Sequence, residues 1–350
     1  MSLYSHLLDT FQSQLGGHLS RLKCLTDAVF ALTLCRSVNL VHLASHSKSL
    51  AKVDSHHRRL QRFLSEWKMP RAALTQLIIS KIPRPKNGYI LSIDRTNWQF
   101  GQTHINILTI GVIIDKIAVP LVWRTLPQAS KRGNSNTLHR INLMSELLEV
   151  LPTEQINFIA MDREFHGKKW LKWLELKQLT FVLRLKANTL VNGKAIRDYK
   201  RSPRELQSVW GMKLYVGLKQ INSQRTNELY VVSNRFKSVK ALNAYKKRWG
   251  IEVVFGHFKK KGLNLEDTHL READKIDRLI AICTLSFFYS FGWGMILKKQ
   301  SPNSKKIHRK SHFRLGLEAF ARLLNTPDPI LHQDLVLWIK SLSIPKSFVV

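Results

Sequence analysis

Two aspartates follow short apolar runs of the kind that form buried strands: Asp94 after residues 89–93 and Asp162 after residues 156–161. A lone carboxylate at a strand end usually caps the next turn, and neither residue taken singly carries more than that. Acids are scarce in this chain, however, and both lie in chemically dense surroundings, Asp94-Arg-Thr-Asn-Trp98 and Asp162-Arg-Glu-Phe165. Ends of neighbouring strands are also where open α/β sheets hold their ligands. A third acid, Glu252, stands in Tyr245-Lys-Lys-Arg-Trp-Gly-Ile-Glu252, which runs on to Lys259. At about 100° per residue, Tyr245, Arg248, Glu252 and Lys259 share one helix face. A solvated face with an (i, i+4) ion pair accounts for the charges. It leaves Trp249, Ile251, Val253 and Val254 unexplained, and these neighbours predict a packed helix whose charged stripe points into a cleft.

Three clustered carboxylates repel one another unless cations sit between them. Hydrolysis or transfer of a phosphodiester is helped by two divalent ions about 3.5 to 4 Å apart. Magnesium and manganese prefer carboxylate oxygens, water and phosphate. The acids are far apart in the chain, so the fold has to gather them.

The charge balance points to a matching partner. Lys and Arg number 56 against 24 Asp and Glu, a net charge of +32 over 350 residues. Self-repulsion at that charge is costly, so a polyanion, most simply nucleic acid, is the expected partner. Solubility alone is a weak alternative, because added acids serve it better. A hydrophobic share of 44% with 23% charged residues excludes a disordered or fibrous chain. Cys24, Cys35 and Cys283 form neither a disulfide framework nor a paired zinc motif, and the first residues lack a secretory signal. Both fit a reducing cytoplasm. Residues 279–297 carry no charge and are long enough to span a bilayer. Their Thr284, Ser286, Ser290, Gly292 and Gly294, and the lack of a second span, favour a buried core helix and no membrane.

Five regions are expected. Residues 1–85 read as a basic helical domain, with its end marked by two prolines and a glycine at 83–88. Residues 86–186 begin a mixed α/β core. They contain a strand at 89–93, a hairpin of 105–114 and 117–123 turning at Asp115-Lys116, and a polar loop at 128–136. A helix at 138–151, a strand at 156–161, a helix at 167–176 and a strand at 180–185 follow. Residues 187–236 are strand-prone, clearest at 229–232. One helix is expected over 239–261 within a second core part, 237–300. Residues 301–350 form a basic helical region, with a loop at 301–310 before a final helix. This order fits a mixed sheet with helices on its faces.

The three acid-bearing segments together resemble the DDE transposases of bacterial insertion sequences that carry the Tyr-Arg-Glu-Lys signature. Tyr245-x2-Arg248-x3-Glu252-x6-Lys259 fits that signature at every spacing, and the resemblance covers about residues 85–300. It implies a ribonuclease-H-like core, with residues 187–236 as a β-rich insertion before the last acidic helix. It further implies that Asp94, Asp162 and Glu252 hold two Mg2+ or Mn2+ ions and are catalytic. Tyr245, Arg248 and Lys259 would hold the DNA strand, with Arg163 and Trp98 beside the acids. Arg163 is as able to pair with Glu164 as with phosphate, and Trp98 suits the core as well as it suits strand positioning. The N-terminal helices would read terminal inverted repeats in double-stranded DNA, and a homodimer would pair two ends before the cut 3′-hydroxyl joins target DNA. In the best-studied relatives a hairpin intermediate forms, and an aromatic from the insertion stacks on a flipped base. Trp210 is the candidate here, though burial in the core is the commoner fate of a tryptophan. Eight cations between 237 and 261, against Glu252 alone, read as a DNA track. The expected setting is the bacterial cytoplasm, at the nucleoid. A metal nuclease of the same core without strand joining, or a catalytically silent DNA-binding protein, are the alternative readings.

Overall fold

A computed structural model of the chain describes residues 2–47, 51–127, 135–220, 228–325, 329–340 and 343–348. The polar loop expected at 128–136 lies, except for its last two residues, outside the described residues. Five helices open the chain: α1 (Leu3–Leu15), α2 (Leu19–Cys35), α3 (Leu40–Ser45), α4 (Val53–Glu66) and α5 (Arg71–Ser80). Next come β1 (Tyr89–Phe100), β2 (Thr103–Ile114), β3 (Ile117–Thr125), α6 (Thr137–Leu148), β4 (Ile156–Met161), α7 (Lys168–Leu176) and β5 (Phe181–Arg184). The strand-prone stretch forms β6 (Leu190–Val191), β7 (Lys194–Ala195), β8 (Gln207–Val209), β9 (Met212–Gln220) and β10 (Glu228–Ser233). Helices α8 (Ser238–Lys246), α9 (Trp249–Lys259), α10 (Ala273–Gln300), α11 (Lys305–His308), α12 (His312–Asn325) and α13 (Pro329–Lys340) close the chain. The basic stretch at 301–310 thus holds a short helix, and two longer helices follow it where one was expected.

The chain divides into two compact units. One is helical and consists of Met1–Pro83, Trp98–Ile105 and Phe255–Val349. Its centre is α10, whose uncharged stretch is long and apolar enough to cross a membrane but is wholly buried within the protein. Its buried Asp277 pairs with Arg71 at 2.5 Å, which answers an otherwise costly interior charge. Helices α10 and α12 cross at backbone contact. A Cβ on Gly294 would lie 1.8 Å from the His312 carbonyl oxygen, and one on Gly316 would lie 1.7 Å from that of Ser290. Gly316→Ala is therefore expected to destabilise the chain by about 3 kcal/mol, the upper range for overpacking. Gly256→Ala, where a Cβ finds ample room, is the control. Thermal melts of the two variants, with only Gly316→Ala melting well below wild type, check this.

The other unit consists mainly of Arg84–Asn97 and Asn106–Val254 and carries the sheet. Eight strands run in the order β3-β2-β1-β4-β5-β10-β9-β8, with β6 and β7 forming a separate pair. Strands β1, β4 and β5 are mutually parallel, while β2 with β3 and β5 through β10, β9 and β8 pair antiparallel. This large mixed sheet flanked by helices is compatible with a ribonuclease-H-like fold. The β2–β3 hairpin turns at Asp115 and Lys116, as expected; both have positive φ, the geometry whose twist matches that of the strands.

Two expectations change. Asp94 does not end its strand, because β1 continues to Phe100 and forms a hairpin with β2. Its neighbour ends instead: β4 pairs with β1 only as far as Ile93↔Met161. Asp94 and Asp162 are the next residues on two parallel strands, so they emerge side by side where β4 stops. The expected single helix over 239–261 is also broken. Lys247 and Arg248 form a turn between α8 and α9, linked by Arg248 N to Tyr245 O and Ile251 N to Arg248 O bonds of the tighter i→i+3 kind. Just beyond the break, a Cβ on Gly250 would lie 2.8 Å from the Lys116 carbonyl oxygen. The first turn of α9 is thereby held against the β2–β3 hairpin.

Candidate active site

The arrangement of the acids follows from these strand ends and this turn. Asp94 is largely buried; one of its oxygens accepts from the Arg95 backbone N–H at 2.7 Å and the other from Arg248 Nη1 at 2.7 Å. Asp162 is the first residue after β4 and accepts from the Tyr245 hydroxyl at 3.1 Å. Glu252, in the first turn of α9, pairs with Arg248 Nη2. The Arg248 Nε donates to the Tyr245 hydroxyl at 3.1 Å. One buried guanidinium, 7% exposed, thus reaches all three acids, two directly and Asp162 through Tyr245. The break between α8 and α9 lets Tyr245, in the last turn of one helix, and Glu252, in the first turn of the next, meet at the same arginine.

Electrostatics follow the burial. Loss of water pushes the Asp94 carboxyl up to about 7, against the pull of Arg248 and the Arg95 N–H, and Glu164 and Asp162 push the same way as burial. Burial likewise raises the Tyr245 hydroxyl to about 12. Burial opposes the charge on Arg248, but Tyr245, Asp94 and Glu252 outweigh it and hold its pKa above the ordinary arginine value. The space between the carboxylates is therefore complementary to a cation, and the Arg248 guanidinium fills it. Asp94, Asp162 and Glu252 form a hard, all-oxygen donor set of the kind that Mg2+ and Mn2+ take. Among the described residues no three His, Cys, Asp or Glu are close enough to form a ready-made metal cluster. The guanidinium of Arg248 lies between Asp94 and Glu252.

The remaining sequence candidates separate. Glu164 pairs with Arg95 at 3.3 Å, whereas Arg163 is exposed with no ion pair among the described residues. Arg163 stands directly after Asp162, with its side chain open to solvent. Trp98 is buried in the helical unit, with the Lys259 ammonium 5.9 Å from its ring centre and Lys259 itself paired with Glu266 at 3.1 Å. Trp210 is half-exposed, not buried in the core. It occupies the two-residue β8–β9 turn with φ 51°, unusual for a bulky residue, and its ring stacks on His166, four residues after Asp162.

Three contributors escaped the sequence reading. Trp249 was expected to pack with Ile251 and Val254; those two are fully buried, but Trp249 is 62% exposed, one residue from Arg248. Arg184 ends β5, and its guanidinium lies 4.0 Å from Asp162. Arg140, on α6, is buried and clamps the loop after Asp162. It donates to the carbonyls of Glu164 at 3.0 Å, His166 at 3.1 Å and Ser135 at 2.6 Å, and it lies over the Phe165 ring. Only a basic residue on an otherwise amphipathic helix marks it in the sequence. Arg140→Met leaves these carbonyls without a donor, at an expected cost of about 3 kcal/mol. A lowered urea midpoint, together with faster amide exchange in residues 162–166 than in β4, checks that the clamp acts on this loop.

Sheet and gathered acids define a mixed α/β domain with a carboxylate site beside the end of β4. A family model described as the transposase DDE domain matches residues 87–288, more than half of the chain, and the chain belongs to that family. Members are transposases, which act on DNA and in general use divalent metal ions. No curated protein matches the chain.

Proposed function

We propose that this chain is the transposase of a bacterial insertion sequence, of the kind carrying the Tyr-Arg-Glu-Lys signature. The observation that carries the reading is the meeting of Asp94, Asp162 and Glu252 around one guanidinium within the matched domain. Asp94, Asp162 and Glu252 would hold two Mg2+ or Mn2+ ions. When bound, these ions promote loss of a proton from the attacking oxygen and stabilise the leaving oxygen. Arg248 and Tyr245, displaced from the carboxylates, are placed to grip the phosphates of the strand being cut, with Lys259 further along the same signature. Arg163 adds a charge beside Asp162, and the exposed face of Trp249 suits stacking on a base. Water attacks the phosphorus at the element's end, the bond to the 3′ oxygen breaks, and a 3′-hydroxyl is left. In this cut-and-paste route that hydroxyl then attacks a phosphorus of target DNA, its new O–P bond forming as the P–O3′ bond of the target strand breaks and a target 3′-hydroxyl leaves. In the hairpin route it attacks the opposite strand first in the same way, and hydrolysis of the hairpin regenerates the 3′-hydroxyl before joining.

In this reading residues 1–85 recognise the terminal inverted repeats, residues 187–236 are the insertion, with Trp210 placed for stacking near Asp162, and a homodimer pairs the two ends. The protein works at the bacterial nucleoid. The test is a labelled duplex carrying the repeat that flanks the gene, incubated with protein, Mg2+ and a circular target. Nicking at the repeat boundary followed by joining supports the reading. Nicking without joining favours a nuclease, and binding without nicking favours a silent DNA-binding protein.

A further inference from the structure

The opposite end of the parallel strands has the opposite charge. Asp94 and Asp162 lie where β4 stops beside β1; a groove of about 720 Å3 opens at the N-terminal ends of β1, β4 and β5. Five residues of extended strand separate the two ends, about 16 Å. Arg84 and Lys86 approach the groove from the segment before β1, Arg235 from just beyond β10, Lys240 from α8 and Lys247 from the turn that follows it. Among the described residues Glu154 is its sole acid. None of the five cations has an ion pair to a carboxylate among the described residues. Lys247 is partly buried there, and loss of water lowers its pKa.

Lys240, Asn243, Ala244 and Lys247 are spaced i, i+3, i+4 and i+7, so one face of α8, continued by the turn at its end, forms a wall. The sequence reading grouped Lys240 and Lys247 with Glu252 in a single track. The structure divides that track: Arg248 turns to the acids while Lys247, its neighbour, lines the groove.

We infer that this groove binds the phosphate backbone of double-stranded DNA, in a segment away from the bond presented to the acids. The inference rests on the transposase reading and adds a second contact surface to it. Unpaired cations of one sign in a concave site are the footprint of a polyanion. The groove's aromatics, Phe158 and Phe236, are buried, and the Lys240 ammonium sits 4.8 Å from the Phe236 ring centre. No aromatic face is therefore offered to an unstacked base, which is how single strands are held without sequence preference. Side-chain amides of Asn87, Asn157 and Asn243 add neutral groups suited to phosphate oxygens.

The test uses the full chain and a Lys86→Gln/Arg235→Gln/Lys240→Gln variant, all three positions being exposed. Fluorescence anisotropy measures binding of a 40-base-pair duplex across a KCl series. The expected result is at least tenfold weaker binding at 150 mM KCl and a slope of log affinity against log salt shallower by about 2, at ~0.9 per lost phosphate contact. Lysine acetylation of the wild-type protein, with and without the duplex, gives an independent readout in which Lys86, Lys240 and Lys247 are protected. Unchanged slope and affinity in the variant with unprotected lysines overturns the groove but leaves the transposase reading standing. A variant that loses single-strand binding more than duplex binding overturns the assignment to duplex. No duplex binding by the wild-type protein overturns both.

Discussion

Glu252→Gln is expected to lower DNA cleavage by roughly 10^3-fold or more, the scale on which removal of one member of a cooperating catalytic set acts. Glutamine has nearly the same shape and still accepts from Arg248, so the geometry of the turn between α8 and α9 is retained. What it loses is the negative charge and with it the strength of an oxygen ligand to a divalent ion. Glu252 is 37% exposed, and its ion pair with Arg248 is screened by water, so little stability depends on it. DNA affinity should stay within about twofold of wild type or rise slightly, because an anion is removed beside phosphate. Gel assays of cleavage alongside anisotropy separate the two effects. Full cleavage by the variant would sink the catalytic assignment.

Chelation should act on the same scale: EDTA is expected to remove cleavage altogether and leave duplex binding in place. A pH dependence follows from Asp94. Its carboxyl stands near 7 in the metal-free fold because burial disfavours its charge. A divalent ion must therefore displace a proton below that pH, and apparent Mn2+ affinity should fall about tenfold for each pH unit below 7, levelling off above it. For stability the sign is the reverse of the usual carboxylate case. The folded chain holds the Asp94 proton more tightly than the unfolded chain does. Between about pH 4 and pH 7 it binds more protons, so the contribution of Asp94 to stability is full below that window and is lost as pH rises through it. Titration of Mn2+ by electron paramagnetic resonance at pH 6, 7 and 8 checks the affinity without any need for turnover. An affinity independent of pH would remove Asp94 from the ligand set.

Much of the core could be read locally. Strand β4 was expected at the residues it occupies, and the β2–β3 turn at Asp115-Lys116, because apolar runs and turn residues act through their immediate neighbours. The uncharged stretch at 279–297 lies inside α10 as a buried helix, its polar and small residues serving close packing against α12 and α13. The break at Lys247–Arg248 escaped the periodicity, since a helical stripe reads the same through a single tight turn. The apolar residues around Trp249 predict packing for it too, but which side of α9 is covered depends on where Gly250 meets the β2–β3 hairpin.

The sequence by itself therefore determined the types of group available: three acids among many cations, the placement of Asp94 and Asp162 beside strands and of Glu252 on a helix, and the Tyr-Arg-Glu-Lys spacing. Only the tertiary structure decided how these groups face one another. Asp94 stands at the edge of the site because β4, its neighbour in space, stops there while β1 goes on. Arg248 lies among the carboxylates while Lys247 lines the opposite groove because a tight turn sends adjacent side chains to different sides of α8. Propensity and periodicity act over a few residues, whereas strand length, crossing and burial depend on partners tens of residues away.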